Sequence, residues 1–185
     1  MARPSDAKQR MIDTASDLFR RRGYHGVGLA ELLAESGAPK GSFYHHFPAG
    51  KEALAVEVLA HAGGQMNGLI DHCFTTTDAI QPAIALICEK IARLSERSDF
   101  EIACPVVAIA SDTAAVSQTL RKAAADQFRN WTDTVARHAR RLGASAAEAD
   151  MLAQDLLVAL EGAWLVAKIY RSADPIRRIP ERFKT

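Results

Sequence analysis

The sequence is short of several things, and each shortage excludes a class of protein. Cysteine occurs three times in 185 residues, at Cys73, Cys88 and Cys104. These are odd in number and widely spaced, without a Cys-x-x-Cys pair, so neither a zinc ribbon nor a disulfide framework is supported. Reduced, mostly buried thiols in a cytoplasmic protein are the expectation. Long apolar runs are missing: residues 79–88, 102–111, 156–160 and 162–167 are the most apolar uncharged stretches. All fall short of the roughly 20 residues that a membrane-spanning helix needs. The first six residues carry no apolar segment, and no secretory signal is expected. Alternating runs of β-branched residues are scarce, which argues against sheets. Internal repeats and low-complexity segments are not evident. The sequence contains no GxGxxG, P-loop, HExxH or GxSxG motif, so an enzyme is not expected, nor are catalytic residues, a metal site or a cofactor.

A dominant charge is lacking too, since 23 Lys and Arg face 22 Asp and Glu. The distribution is less even. Residues 1–51 hold 8 basic side chains against 5 acidic ones, and the remainder holds 15 against 17. A small basic head on a slightly acidic body hints at a polyanionic partner.

Ala, Leu, Glu, Arg and Gln dominate, and these lose little rotamer freedom in a helix. A first helix is expected over about 6–22, with Met11, Ile12, Ala15, Leu18 and Phe19 as its apolar stripe. Ser5 is its expected N-cap and Gly23 its stop. A short helix over about 29–36 ends at Gly37, and Pro39 fits the first position of another, closed by Pro48. A long helix should run from about 51 to 74, with a bend or close contact at Gly63, Gly64 and Gly68. Further helices are expected over about 79–97, 102–111, 113–142 and 146–171, with residues 172–185 fraying. The chain therefore reads as all-α.

Two short helices joined by a glycine-containing turn are the pattern of a helix-turn-helix. At about 100° per residue, Phe43 and Phe47 form the buried side of the second of these helices. Gly41, Ser42, Tyr44 and His45 fall away from the rings, and Lys40 and His46 flank them. From Ser36 to Lys51 there is no Asp or Glu. Gly41 lets backbone come close, Ser42 can donate or accept at a base edge, and Tyr44 and the histidines can reach phosphates or a thymine methyl. Lys40 and Lys51 add cations near helix N-termini, which themselves attract phosphate. The bland alternative, a solvated polar face, explains fewer of these coincidences. A metal site at His45 and His46 is not supported, because adjacent helical residues point about 100° apart and no local ligand completes a shell.

The stretch Gly23-Tyr24, then Ser36-Gly37-Ala38-Pro39-Lys40-Gly41-Ser42-Phe43-Tyr44-His45-His46-Phe47, then Gly50-Lys51-Glu52-Ala53-Leu54, closely resembles the DNA-binding domain of TetR-family repressors. Its details look like the LmrA/YxaF-type subgroup, as does Cys104-Pro105-Val106 later in the chain. The resemblance implies a homodimer with an N-terminal three-helix, helix-turn-helix head over residues 1–50 and a C-terminal helical ligand-binding and dimerisation domain over 51–185. It implies Lys40, Tyr44, His46 and Lys51 as phosphate contacts, with Gly41, Ser42 and His45 near the bases. Many members hold a phosphate with Thr or Ser near the start of the second helix. The corresponding position here is Val27, which cannot form that bond, and Gly28 has only its backbone N–H to offer.

In the body, Met66, Ile70, Phe74, Phe100, Cys104, Val107, Phe128, Trp131 and Trp164 are large or soft residues that together could line an apolar ligand pocket; individually each fits plain core. The last long helix is apolar on two sides, fitting either central burial or packing on a partner. The function expected is a ligand-responsive repressor that binds a near-palindromic double-stranded operator as a dimer and is released by a small apolar or aromatic effector. The alternative is a small-molecule-binding helical regulator that activates or binds DNA weakly.

Overall fold

The computed structural model describes residues 4–183, and the predicted cap Ser5 lies in a stretch whose side chains fall outside the described residues. Among the described residues there are helices and no strand. They are α1 (Pro4–Arg22), α2 (Leu29–Ser36), α3 (Lys40–His46), α4 (Lys51–Thr75), α5 (Ile80–Arg97), α6 (Pro105–Thr113), α7 (Gln118–Arg141), α8 (Ala146–Tyr170) and α9 (Asp174–Arg177), then a 3-10 helix (Ile179–Phe183). The chain packs as two compact units, Met1–Ala62 with Cys104–Gln127, and Gly63–Ala103 with Phe128–Thr185.

In the first unit, the predicted stripe of α1 is buried: Met11, Ile12, Ala15, Leu18 and Phe19. They share a core with Leu32, Phe43, Phe47, Leu54, Val58, Leu59, Val106 and Ile109. Two helices begin later than their apolar patterns suggest. α6 starts at Pro105, with Cys104 extended at φ −56° and ψ 125°, rather than at residue 102. A proline is welcome at a helix start, but it disfavours helical backbone in the residue before it. α7 starts at Gln118 instead of 113, because the Ser117 hydroxyl accepts the Leu120 N–H at 3.0 Å and caps the helix there.

In the second unit, α8 opens on a capping box, with Ser145 accepting from the Glu148 N–H and the Glu148 carboxylate accepting from the Ser145 N–H. The expectation of a close approach along α4 holds at one glycine only. Gly63 is buried and its carbonyl accepts the Trp131 indole N–H at 3.1 Å. Gly64 and Gly68 are exposed, and a Cβ added to either would meet nothing within 4 Å.

The expected fraying of the last residues is corrected by the structure. Residues 174–183 form α9 and the 3-10 helix against α5 and α8. Ala173, Ile176 and Ile179 recur every third residue and are buried. The Arg177 guanidinium donates to Glu89 at 2.9 Å and to Glu96 at 2.6 Å, both on α5. Burying each isoleucine contributes roughly 1.5–3 kcal/mol, which outweighs the usual tendency of termini to fray.

Candidate nucleic-acid interface and apolar cavity

The turn between α2 and α3 is made by backbone chemistry. Gly37 sits in the left-handed region at φ 63°, its N–H donating to Ala34 and the Ala38 N–H to Leu33, which closes the end of α2. Pro39 is then the N-cap of α3, one position before the first helical residue expected for it, and its carbonyl accepts the Phe43 N–H at 3.1 Å. Phe43 and Phe47 are buried with ring centroids 5.4 Å apart, and they fix the roll of α3. Opposite them, Lys40, Gly41, Tyr44 and His45 are exposed, while Ser42 and His46 are half-buried. Tyr44 shows 45% of its surface, and its ring stands edge-on to Phe43 at 5.2 Å. A Cβ at Gly41 would meet nothing within 4 Å, so the glycine leaves open space outside the helix.

The loop before α2 is held from two sides. The Lys51 ammonium donates to the carbonyls of Tyr24 and Val27, both at 2.5 Å, and lies 4.1 Å from the centre of the Tyr24 ring. Lys51, expected at a phosphate, thus directs two of its donors inward. Burial lowers its pKa, and the nearby Asp112 carboxylate opposes that shift. From the other side, Asp112 of α6 accepts the His25 backbone N–H at 3.0 Å. Sequence reasoning missed Asp112, because no local pattern links residues so far apart. Val27 is buried, so its apolar side chain belongs to the core and not to the exposed face. Gly28 is the N-cap of α2 and supplies no side-chain cap, so the first N–H groups of that helix lack one.

In the second unit, Met66, Ile70, Trp131 and Trp164 come together around a small cavity, joined by Ile87, Leu156 and other residues. It offers about 30 Å³ to the centre of a water molecule. That is room for one or two waters, far below the several hundred Å³ of a drug-sized site. Glu161 and Thr132 are among the residues at its wall, and the Thr132 hydroxyl already donates to the helix behind it. The other five candidates lie elsewhere. Phe74 is buried and stacks on His138 at 5.2 Å, while Phe128 touches Trp131 edge-on at 5.4 Å. Phe100 follows the end of α5 in the left-handed region at φ 58°. Cys104 caps α6 and Val107 lies on it, both in the first unit. Beside Phe74, the Asp71 carboxylate accepts from His138 at 2.7 Å and from Arg137 at 2.9 Å, and these bonds hold it below the ordinary carboxylate range.

Along α8, Met151, Val158, Leu165 and Ile169 are exposed by 56–71%, a row of large apolar side chains on one face. No helix among the described residues is long and apolar enough to cross a membrane.

Comparison with known proteins agrees with this geometry. The family model for bacterial regulatory proteins of the tetR family matches residues 11–58, spanning the helix-turn-helix. That for the C-terminal domain of LmrA/YxaF-like transcriptional regulators matches residues 81–182. The chain is 33% identical over 182 residues to the HTH-type transcriptional regulator YxaF of Bacillus subtilis, covering 98% of this chain and 95% of that protein. It is 31% identical over 175 residues to LmrA of the same organism, covering 94% and 93%. Among solved structures, a TetR regulatory protein from Rhodobacter sphaeroides superposes with a TM-score of 0.84 at 25% identity, covering 96% of both chains. These relatives are regulators of transcription and not enzymes, in keeping with the missing catalytic motifs. From its head to the end of its helical body, the chain is a member of the TetR family of transcriptional regulators, in the LmrA/YxaF-like group.

Proposed function

We propose that this regulator is a repressor that binds a near-palindromic operator as a homodimer and releases it when a small apolar or aromatic effector enters the second unit. The observation that carries the DNA reading is the face of α3. Lys40, Gly41, Tyr44 and His45 stand exposed on a helix anchored by two buried rings, with no carboxylate between Ser36 and Lys51. Gly41, Ser42 and His45 would meet base edges, and Lys40, Tyr44 and His46 phosphates. Lys51 would act chiefly by holding the loop that leads into α2, whose first N–H groups would receive a phosphate.

The exposed row on α8 supports a second copy of the chain as partner, since an apolar face of this extent is costly to leave in water. A two-fold axis would set two α3 helices in successive major grooves, roughly 34–36 Å apart. The cavity between Met66, Ile70, Trp131 and Trp164 is where an effector would enter, opening space that is closed here. Such an effector releases DNA only if it binds the state that cannot grip the operator more tightly. One observation favours the activator or weak-binder reading: Val27, where the resemblance places a Thr or Ser, is buried, and Gly28 caps α2 without a side-chain bond.

The test is gel-shift binding to the gene's own upstream intergenic DNA at two salt concentrations, with unrelated DNA as competitor. Retention that resists competitor and weakens with salt is expected, because phosphate contacts release counterions. Binding no tighter than to competitor at either salt would refute autoregulation through this face.

A further inference from the structure

We propose that Asp112 is a positioning residue for DNA binding, a latch by which α6 holds the α1–α2 loop and aims the start of α2 at the backbone of the operator. The proposal rests on the DNA reading above and adds to it a residue outside the helix-turn-helix.

Three observations carry it. The Asp112 carboxylate accepts the backbone N–H of His25 at 3.0 Å, a charge-assisted bond to a loop with no regular structure of its own. The loop is shaped to admit that carboxylate. Gly23 sits at φ 75°, and a Cβ there would lie 2.5 Å from the same Asp112 oxygen. On the opposite side, Lys51 of α4 donates to the carbonyls of Tyr24 and Val27. Residues 23–27 are therefore held by an anion on α6 and a cation on α4, each bonding the backbone group of matching polarity. The next residue, Gly28, is the N-cap of α2. Glycine there brings neither side-chain cap nor steric restraint, so the direction of the α2 N-terminus depends on what holds the loop before it.

The sign of the expected effect separates this role from simple electrostatics. Removing a carboxylate from a DNA-binding unit lowers its repulsion for phosphate, and by charge alone should tighten binding. A latch predicts the opposite.

The experiment compares the full-length protein with Asp112→Ala and Asp112→Asn. The second variant keeps an oxygen that can accept the His25 N–H. Amide exchange of residues 23–28 is followed by NMR, together with affinity for a duplex enriched by the wild-type protein from a random-sequence pool, and urea unfolding. Expected are about tenfold faster exchange at His25 in Asp112→Ala and a loss of DNA affinity of about tenfold, with the salt slope unchanged. Asp112→Asn should recover most of both, and the urea midpoints of the two variants should lie close together. Unchanged exchange in Asp112→Ala, or tighter DNA binding, would overturn the latch. Faster exchange with unchanged affinity would overturn its role in DNA binding. If the wild-type protein enriches no duplex, the DNA reading itself fails, and with it this role, while the exchange data still report separately on the bond.

Discussion

Replacing Lys51 by Met keeps the aliphatic stem and removes the ammonium. The side chain then loses two bonds to the carbonyls of Tyr24 and Val27 and a cation held 4.1 Å from the Tyr24 ring centre. Hydrogen bonds to a charged donor are worth about 1.5–3 kcal/mol each when both groups are sheltered, and the ring contact adds about 0.5–1 kcal/mol. Lys51 is only half-buried, so water takes over part of the carbonyls' demand and the sum must be cut by about half. A loss of about 2–3.5 kcal/mol is expected, which moves the urea midpoint down by roughly 0.6–1.7 M for a slope of 2–3 kcal/mol/M. DNA binding supplies the second measurement. A lysine that neutralises a phosphate adds about 0.9 to the slope of log affinity against log salt, so a dimer would lose about 1.8 on mutation. We expect weaker binding with the slope essentially unchanged. A slope that drops by about 1.8 while the urea midpoint stays put would refute the reasoning and return Lys51 to the phosphate backbone.

Other perturbations test other parts of the fold. Ile176→Ala should cost 2–5 kcal/mol in urea unfolding, because Ile176 is fully buried; a loss below about 1 kcal/mol would mean the C-terminal helices contribute little. Arg177 holds the Glu89 carboxyl at about 2 and also lowers Glu96, both starting from ordinary values of 4.5. Carboxyls with depressed pKa values stabilise the fold above their unfolded pKa and lose that contribution as pH falls through the folded one. Wild-type stability should therefore decline between about pH 4.5 and 2 more steeply than that of Arg177→Ala, and parallel declines would count against the ion pairs. Leu165→Glu should shift sedimentation from dimer to monomer while leaving the circular dichroism helical, because Leu165 is 56% exposed; an unchanged dimer would place the partner surface off α8.

The head was legible because its signals are local. Periodicity placed α1 and α2 within two residues at each end, and the same few residues that shape the turn also mark the family. The ring pair Phe43 and Phe47 follows from helical spacing alone. Elsewhere, local signals competed. Apolar pattern argued for helix across residues 102–104 and 113–117, but Pro105 and the Ser117 hydroxyl set later starts. The C-terminal residues looked polar and proline-rich, and their order comes from burial of Ile176 and Ile179 and from Arg177 meeting two carboxylates on α5. Pairings of that kind are invisible to periodicity. The same holds for Asp112 and for Lys51, whose type suggested phosphate while its surroundings supply carbonyls. Four of the nine pocket candidates meet around one cavity, since helix faces say which residues turn inward but not which of them share a void.

Gly23 and Gly37 have the same backbone handedness, at φ 75° and φ 63°, yet they impose different filters on inheritance. At Gly37 an added Cβ meets nothing, so only the twist of the chain selects against change, and asparagine, which tolerates that twist, is an open route for drift. At Gly23 the Asp112 oxygen stands 2.5 Å from where a Cβ would go, so any side chain there makes the carboxylate swing aside, away from the His25 N–H that it accepts. A saturation library should show asparagine surviving at both positions, but at position 23 with the His25 N–H released to exchange. Once position 23 carries a side chain, the carboxylate at 112 has lost the bond that selects for it, so that one gene would carry the two substitutions as a coupled pair.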